Sequence, residues 1–473
     1  MQRTISTDTT SKVGVEVKLN GWVNVRRNMG KIVFLDLRDR WGLVQVVCVP
    51  DELDKESVEA LSDIRGEFVL EITGIVQARG EKQVNKDLAT GTIEILAKKI
   101  VVLSKSETPP FEIENEDRQA NEELRLQYRY LDLRHARMLN NMTKRSEMMH
   151  FVRNFLHDKK FIEINTPILS KSTPEGARDY LVPSRKFPGK FFALPQSPQQ
   201  YKQMLQVAGM DRYFQIAPCF RDEDARADRS PGEFYQVDIE MSFVTQDDIL
   251  KLTEEMFSAM VKKLWPEKKF TFDPWPRLEY GEVMKKYGTD KPDLRKNKED
   301  KDELAFAFVV NFPLFTPQAD KKSDDHFHGA KSKFAPSHHM FTRPKDEDLA
   351  MLDKDPSKVK SYQHDLVLNG LEVGGGSIRI HDPKLQDKIF DLIGFDKDDK
   401  KKFAHLLKAF SFGVPPHGGI APGFDRLLSS ILGEPSIREV IAFPLTSDAR
   451  DPLMDSPSEV SGEQLDELGI KVV

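Results

Sequence analysis

Cysteine is nearly absent: Cys48 and Cys219 are the only two in 473 residues. Each sits in an apolar stretch, VVCVP or APCFR, so both are expected to be buried thiols. No disulfide framework and no cysteine-built zinc cluster can be assembled from them. Long hydrophobic runs are also missing. No stretch approaches the roughly 18 apolar residues a membrane span needs, and the N-terminal MQRTISTDTTSKVG lacks the apolar core of a secretory signal. A cytoplasmic, reducing location is the expectation, with no membrane partner. Excess positive charge is lacking too. With 70 basic and 76 acidic residues the net charge is −6, which excludes a polybasic coat but leaves room for a local phosphate-binding face. Internal repeats are not evident. What the chain does have is a 39% hydrophobic and 31% charged composition, that of a folded globular protein. Length alone suggests about three domains.

Two domains separate by texture. Residues 1–105 hold five runs rich in Val and Ile: VEVKLNGWVNV, IVFLDLR, LVQVVCV, EFVLEITGIV and TIEILAKKIVVL. Alternation and polar breaks mark them as strands. Between the third and fourth, DELDKESVEALSDIRG reads as a short helix. Five strands with one helix in that place is the element order of an OB-fold barrel, a module that often binds oligonucleotides; another small barrel or sandwich is the alternative. This part carries a net +1 and the rest −7. Residues 106–140 read as a hinge: a Pro pair ends the barrel and an Arg-rich helical stretch follows. From Thr143 a helix is predicted, with Met148, Phe151, Val152 and Phe155 on one face, then the strand FIEINTP closed by Pro167. Alternating strands and helices across 141–473 predict a large α+β domain. RKNKEDKDE (295–303) and GFDKDDKKK (394–402) are expected to be solvated surface.

Four segments carry candidate chemistry. In FQIAPCFRDEDARADRSPGEFYQVDIEMSF, a strand delivers Arg221 with Asp222, Glu223 and Asp224, then a loop with Arg226 and Arg229, then a returning strand. Arginine forks suit a triphosphate held on a sheet face; a surface hairpin with ordinary ion pairs is the alternative. In LVLNGLEVGGGSIRIHD, Gly374 to Gly376 permit either close approach to a ligand or unusual backbone. Asp365 and Glu372 could hold Mg²⁺ against a nucleotide, since that ion takes one or two carboxylates plus phosphate oxygens. Arg379 follows. In GVPPHGGIAPGFDRLLSSILG, a helix beginning near Phe424 has Arg426 in its first turn, an anion-binding arrangement. Finally, STPEGARDYLVPS and FFALPQSPQQYKQML offer Glu175 and Lys202 for an ammonium and a carboxylate. His338 and His339 are adjacent and lack further ligands at metal spacing, so zinc is not expected.

Together these segments resemble class II aminoacyl-tRNA synthetases, and specifically the bacterial-type aspartyl-tRNA synthetases. Motif 1 resembles the helix and strand ending at Pro167, motif 2 FRDEDARADRSPGEF, and motif 3 GIAPGFDRLL. QSPQQYKQ, YGTDKPDLR, EVGGGSIRIH, PPHGGIA and SIREVIAFPLT add to the likeness, which covers nearly the whole chain. The resemblance implies an antiparallel catalytic sheet with flanking helices, and Mg²⁺-ATP activation of L-aspartate followed by transfer to tRNA(Asp). Whether tRNA(Asn) is also charged stays open. It places the substrate carboxylate at Arg379 and Lys202, its ammonium at Glu175, and Gln199, His338 and His339 in the same pocket. It gives Arg221, Asp222, Glu223, Phe234, Glu372, Gly423, Phe424, Asp425 and Arg426 to ATP, and Asp365 with Glu372 to Mg²⁺. Arg221, Glu372 and Arg426 would carry the catalysis. In the barrel, Phe34, Gln45 and Glu94 would read the anticodon, with Arg26 and Arg27 on phosphates. A homodimer is implied; an organic cofactor and a DNA partner are not.

The sequence departs from that pattern in three places. The large insertion of the bacterial type is absent near 295–305. In the motif 2 loop, Ser230 stands where glutamine is usual and Gly232 is an added residue. Pro422 is unusual in motif 3. A tRNA-independent aspartate amide ligase and a non-catalytic RNA-binding paralogue are the rival readings. The intact barrel argues against the first, and the presence of Arg221, Glu372, Arg379 and Arg426 against the second.

Overall fold

The computed structural model describes residues 1–114, 120–223, 232–320 and 326–472. The chain divides into two compact units, Met1–Gln119 and Ala120–Val473, split within the segment expected to be a hinge.

In the first unit, β1 (Glu16–Asn28), β2 (Val33–Asp39), β3 (Gly42–Cys48), β4 (Val69–Ala78) and β5 (Ile93–Ser104) form a closed barrel in the order β1-β2-β3-β5-β4. Strand alternation sends Val17, Leu19, Val23, Leu35, Val46, Leu70, Ile72 and Ile95 inward, and closure removes the exposed edges an open sheet would present. Helix α1 (Lys55–Asp63) lies between β3 and β4, as the sequence predicts; the Asp54 side chain caps it by accepting from Ser57 N at 2.7 Å, and Leu61 enters the barrel core. Arg38 is buried and makes a two-pronged bond to Glu67, at 2.7 and 2.8 Å, a pair the sequence did not announce. Cys48 and Cys219 are both buried and free; burial pushes each thiol up to about 12.

The second unit is built on β6 (Ile162–Glu163), β7 (Arg212–Arg221), β8 (Gly232–Ser242), β9 (Arg277–Glu279), β10 (Phe306–Val310), β11 (Gln363–Leu368), β12 (Leu371–Ile378) and β13 (His417–Pro422). These make one eight-stranded sheet in the order β9-β10-β11-β12-β13-β8-β7-β6. The six central strands are antiparallel, and only the outermost pair at each edge is parallel. Helices α2 (Ala136–Asp158), α3 (Gln199–Val207), α4 (Gln246–Leu264) and α5 (Phe424–Leu432) flank it. On β8, Val237, Ile239 and Met241 join α2, α4 and α5 in the main core. Their alternates Gln236 and Asp238 face a cleft. Period two therefore splits one strand between stability and chemistry. A second core of Phe341, Phe390, Phe395 and Phe403 absorbs many of the phenylalanines.

Some expectations need correction. Helix α2 starts at Ala136, a full two turns before Thr143, capped by His135 accepting from Arg137 N at 3.1 Å. Histidine is not among the usual capping residues, so the start was hidden. Its Met148, Val152 and Leu156 are fully buried, while Phe151 and Phe155 are partly so and stack on each other. Of FIEINTP only two residues pair as a strand. In 295–303 most side chains are solvated, but Glu303 is buried and accepts from Lys296 N and Asn297 N, closing the segment as a tight loop.

Candidate active site and barrel face

A cleft of about 500 Å³ opens where β7, β8, β12 and β13 meet α3 and α5. The strands deliver side chains from the sheet face opposite the core. Glu175, Gln199, Lys202, Arg221, Glu223, Phe234, His338, His339, Glu372, Arg379, Gly423, Asp425 and Arg426 all line it. Residues from six separate stretches of sequence thus converge on one space.

At one end, Arg379 donates to Glu240 through Nε at 3.0 Å and through its terminal nitrogen at 3.2 Å, and to Ser377 Oγ at 2.8 Å. Lys202 Nζ donates to Asp238 at 2.8 Å and lies 3.3 Å from Glu240. All four are buried. Burial would raise the Glu240 carboxyl, but Arg379 and Lys202 outweigh it and hold Glu240 at about 2. For Asp238, burial wins and its carboxyl is raised. Lys202 and Arg379 thus present two cations whose orientation is fixed from behind, an arrangement that suits an anionic guest. Among the described residues, Asp238 Oδ1 and Gln199 Nε2 are buried with no hydrogen-bond partner, a state that a bound polar ligand would relieve. Sequence reasoning missed Asp238 and Glu240. The available signal was two carboxylates two residues apart in VDIEMSF, on one face of a strand otherwise destined for the interior.

Above this cluster, Glu175 accepts from Thr173 Oγ1 at 2.9 Å and from Gln200, and lies 3.8 Å from His339 Nε2. Burial pushes its carboxyl up, yet His339, Gln200 and Thr173 bring it below the usual range. His338 is kept neutral chiefly by burial, aided by His339, Arg379 and Arg221. Gly375 explains part of the glycine run: a Cβ there would stand 2.7 Å from His338 Cε1 and 3.3 Å from Asp365 Oδ1. At Gly374 a Cβ would come within 2.8 Å of Pro422 Cα across the ladder. The run makes room for neighbours, and none of the three glycines has a positive φ.

At the other end, Arg221 lies over the Phe234 ring at 5.0 Å and donates to Gln196 O at 3.3 Å. Arg426 in the first turn of α5 donates to Glu372 O at 2.6 Å, which ties the arginine to the strand bearing the carboxylate. Asp425 is engaged with Arg145 and accepts from Tyr235 N at 3.1 Å; it orients the wall. Phe424 is placed elsewhere: it is fully buried in the core, with the Arg145 guanidinium 5.0 Å above its ring. Asp222 is exposed beside Arg178, to one side of the cleft. Asp365 sits behind Gly375, its carboxyl raised well above the ordinary value by burial and by the Glu372 charge. Two mutually repelling carboxylates, Glu372 lining the cleft and Asp365 behind its glycine wall, fit a divalent cation. No cluster of three or more metal ligands occurs among the described residues. Asp224, Arg226, Arg229 and Ser230 lie outside the described residues. Gly232 has φ +86° and abuts Tyr180, whose hydroxyl would be 3.1 Å from a Cβ.

On the barrel, strand pairing sets Arg27 opposite Phe34, and Asp36 opposite Gln45. Arg27 donates to Asp36 at 2.6 and 2.9 Å and to Gln45 Oε1 at 3.2 Å, and Gln45 donates to Glu94 at 3.0 Å. Arg79 lies 3.7 Å from Glu94. Arg27, Phe34, Gln45 and Glu94 thus share one polar face, joined by Asp36 and Arg79, which sequence reading passed over. Arg26 pairs with the inward-facing Leu35, near Cys48, and its Nε is buried without a partner.

Residues 121–447 match the family described as tRNA synthetases class II (D, K and N), and residues 17–103 match the OB-fold nucleic acid binding domain. An aspartate–tRNA(Asp/Asn) ligase of Rubrobacter xylanophilus is 40% identical over 586 residues, covering 98% of this chain and 95% of the relative. That of Treponema denticola is 40% identical over 602 residues, covering 100% and 99%. Both spans exceed the 473 residues present here, so these relatives carry residues with no counterpart in this chain. Among solved structures, an asparaginyl-tRNA synthetase from Pyrococcus horikoshii complexed with asparaginyl-adenylate aligns with a TM-score of 0.75 at 23% identity, covering 94% of this chain and 98% of that one. An aspartyl tRNA synthetase from Entamoeba histolytica aligns with a TM-score of 0.71 at 25% identity, covering 94% and 91%.

Proposed function

The chain belongs to the class II (D, K and N) tRNA synthetases, and from that membership and its cleft we propose that it is an aspartate–tRNA ligase. The observation that carries the substrate is the buried cluster of Arg379 and Lys202 on Glu240 and Asp238. Two fixed cations with their orientation set from behind match the side-chain carboxylate of aspartate. Asparagine would leave that charge unpaired, which is costly in a dry site. Glu175, held below the usual range, receives the α-ammonium.

The reaction needs no nucleophilic side chain. The bound α-carboxylate attacks the ATP α-phosphorus, pyrophosphate leaves, and the resulting aspartyl-adenylate is passed to the terminal ribose hydroxyl of tRNA. Arg221 neutralises charge at the α-phosphate, Phe234 supports the adenine, and Arg426 grips the outgoing phosphates. Glu372 and Asp365 would hold Mg²⁺, whose contribution is to offset phosphate charge and orient the triphosphate. The barrel face of Phe34, Gln45, Glu94 and Arg27 reads the anticodon.

The partner readings follow the same family. Ile162 on the edge strand, with Ile168, Leu169, Leu181, Phe191 and Phe192, is exposed and apolar, which supports a two-fold homodimer. On this reading the residues that longer relatives carry would be inserted at 295–305, a segment that Glu303 closes as a short loop. Among the described residues no helix is long and apolar enough to cross a membrane; the cytoplasm as working site rests on the ligase reading alone. The test is attachment of labelled aspartate to purified tRNA(Asp) and tRNA(Asn) with Mg²⁺-ATP. Charging of tRNA(Asp) alone identifies a discriminating enzyme. Charging of both identifies a relaxed enzyme whose mischarged product needs an amidating partner. Charging of neither overturns the assignment.

A further inference from the structure

Glu175 stands on a segment, 173–179, that belongs to no helix or strand. A carboxylate that must meet an ammonium within hydrogen-bond range cannot be left on a free loop. From inside, Gln196 clasps the segment: its Oε1 accepts from Ala177 N at 2.9 Å, and its Nε2 donates to Ala177 O at 2.8 Å and to Asp179 at 2.7 Å. That hold lies on the C-terminal side of Glu175.

A second hold, on both flanks of Glu175, comes from a different part of the chain. His328 N donates to Gly176 O at 2.9 Å, in an isolated antiparallel bridge between these two residues. The Phe327 ring abuts Gly176, where a Cβ would stand 3.1 Å from its Cε2. Gly329 presses on Pro174 so closely that a Cβ would lie 2.4 Å from the proline Cβ. Gln318 holds this strap in shape: its Nε2 donates to Phe327 O at 2.9 Å and Ala330 O at 3.1 Å, and its Oε1 accepts from Phe327 N at 3.2 Å. Beyond it, Lys331 N and Ser332 N both donate to Ile393 O, at 2.8 and 3.1 Å, which ties the strap to the phenylalanine core.

We propose that residues 326–330 are a strap that positions Glu175, with Phe327, Gly329 and Gln318 as positioning residues for recognition of the amino-acid ammonium. The inference rests on the aspartate–tRNA ligase reading. Its physical basis is that the contacts fall on Pro174 and Gly176, the two residues on either side of Glu175, so a change there acts on the carboxylate more directly than on the phosphate end.

Aspartate-dependent ATP–pyrophosphate exchange by the full chain tests it. Gly329→Ala and Phe327→Ala should each raise KM for aspartate about ten-fold, with kcat and KM for ATP within about two-fold of wild type. Phe327→Tyr, which keeps the ring on Gly176, should restore the aspartate KM, and melting temperatures measured alongside identify any variant that fails to fold. A purely structural role would instead lower kcat or raise both KM values together. Aspartate KM unchanged in folded Phe327→Ala, or equal shifts for aspartate and ATP, overturns the strap while leaving the ligase reading intact. Absence of aspartate-dependent exchange in the wild type overturns that reading and the strap with it.

Discussion

The cleft floor and the barrel face both use arginine–carboxylate pairs, yet the pairs are built for opposite ends. In the cleft, the Arg379 side chain is 3% exposed and its partner Glu240 0%. On the barrel, Arg27 is 44% exposed and Asp36 16%. Desolvated charges are expensive and demand fixed partners, so the cleft pair is held in one geometry that can discriminate a carboxylate from a carboxamide. A solvated pair is worth little, about 0–1 kcal/mol, so Arg27 can exchange Asp36 for a phosphate at small cost. On the proposed function, burial is what would convert the same chemistry from a docking contact into a selectivity filter.

The largest break in that comparison should come from Arg379→Gln. It removes the substrate's carboxylate partner and leaves Glu240 buried with less compensation, so aspartate-dependent pyrophosphate exchange should fall at least about 10³-fold and stability by about 3–5 kcal/mol. Exchange kinetics and chemical denaturation check both. Glu240→Gln should cost less, about 10²-fold in kcat/KM for aspartate, because both cations remain but lose their common anchor. Its pH signature has a defined sign. Glu240 is held at about 2 when folded, so its contribution is full above the unfolded value near 4.3 and disappears as pH falls toward 2. The stability gap between wild type and Glu240→Gln should therefore close over that window.

On the barrel the expected effects are smaller and of another kind. Phe34→Ala removes one stacking platform, worth about 1–3 kcal/mol per base, and should raise KM for tRNA about ten-fold while pyrophosphate exchange stays unchanged. Comparing charging with exchange separates the two units. A last contrast is in pH. His364 and His417 are buried and held at about 3 and about 4, chiefly by burial. Their unfolded forms take up protons below about pH 6.5, so stability of the catalytic unit should decline as pH drops from 6.5 toward 4. None of the 11 histidines lies in residues 1–119, so the barrel should not share that decline. Domain-resolved hydrogen exchange at the two pH values would reveal it.

Much of this could be read from the chain, for identifiable reasons. Barrel strands announce themselves because inward and outward residues alternate at period two over long runs, as in VKLNGWV. Arg221, Glu372 and Arg426 were legible because charged residues adjoin glycine or apolar strands at recognisable spacing. Phe424 misled because adjacency to Arg426 says nothing about direction: residues two apart on a helix face different sides, and this one faces the core. Arg26 misled in the same way, since its neighbour Arg27 occupies the opposite strand face. The start of α2 was hidden behind a histidine cap, and the strap at 326–330 by its polar, patternless text.

The sequence by itself determined the element order of the barrel, the alternation that builds the sheet, and the identity of the charged groups, because each depends on local periodicity and side-chain type. Tertiary structure alone decided which charges became partners. Arg379 and Glu240 are 139 positions apart, and Gly176 and His328 are joined only by the bridge that steadies Glu175. Pairing across such distances follows from how strands register and what they bury, and no local pattern encodes it.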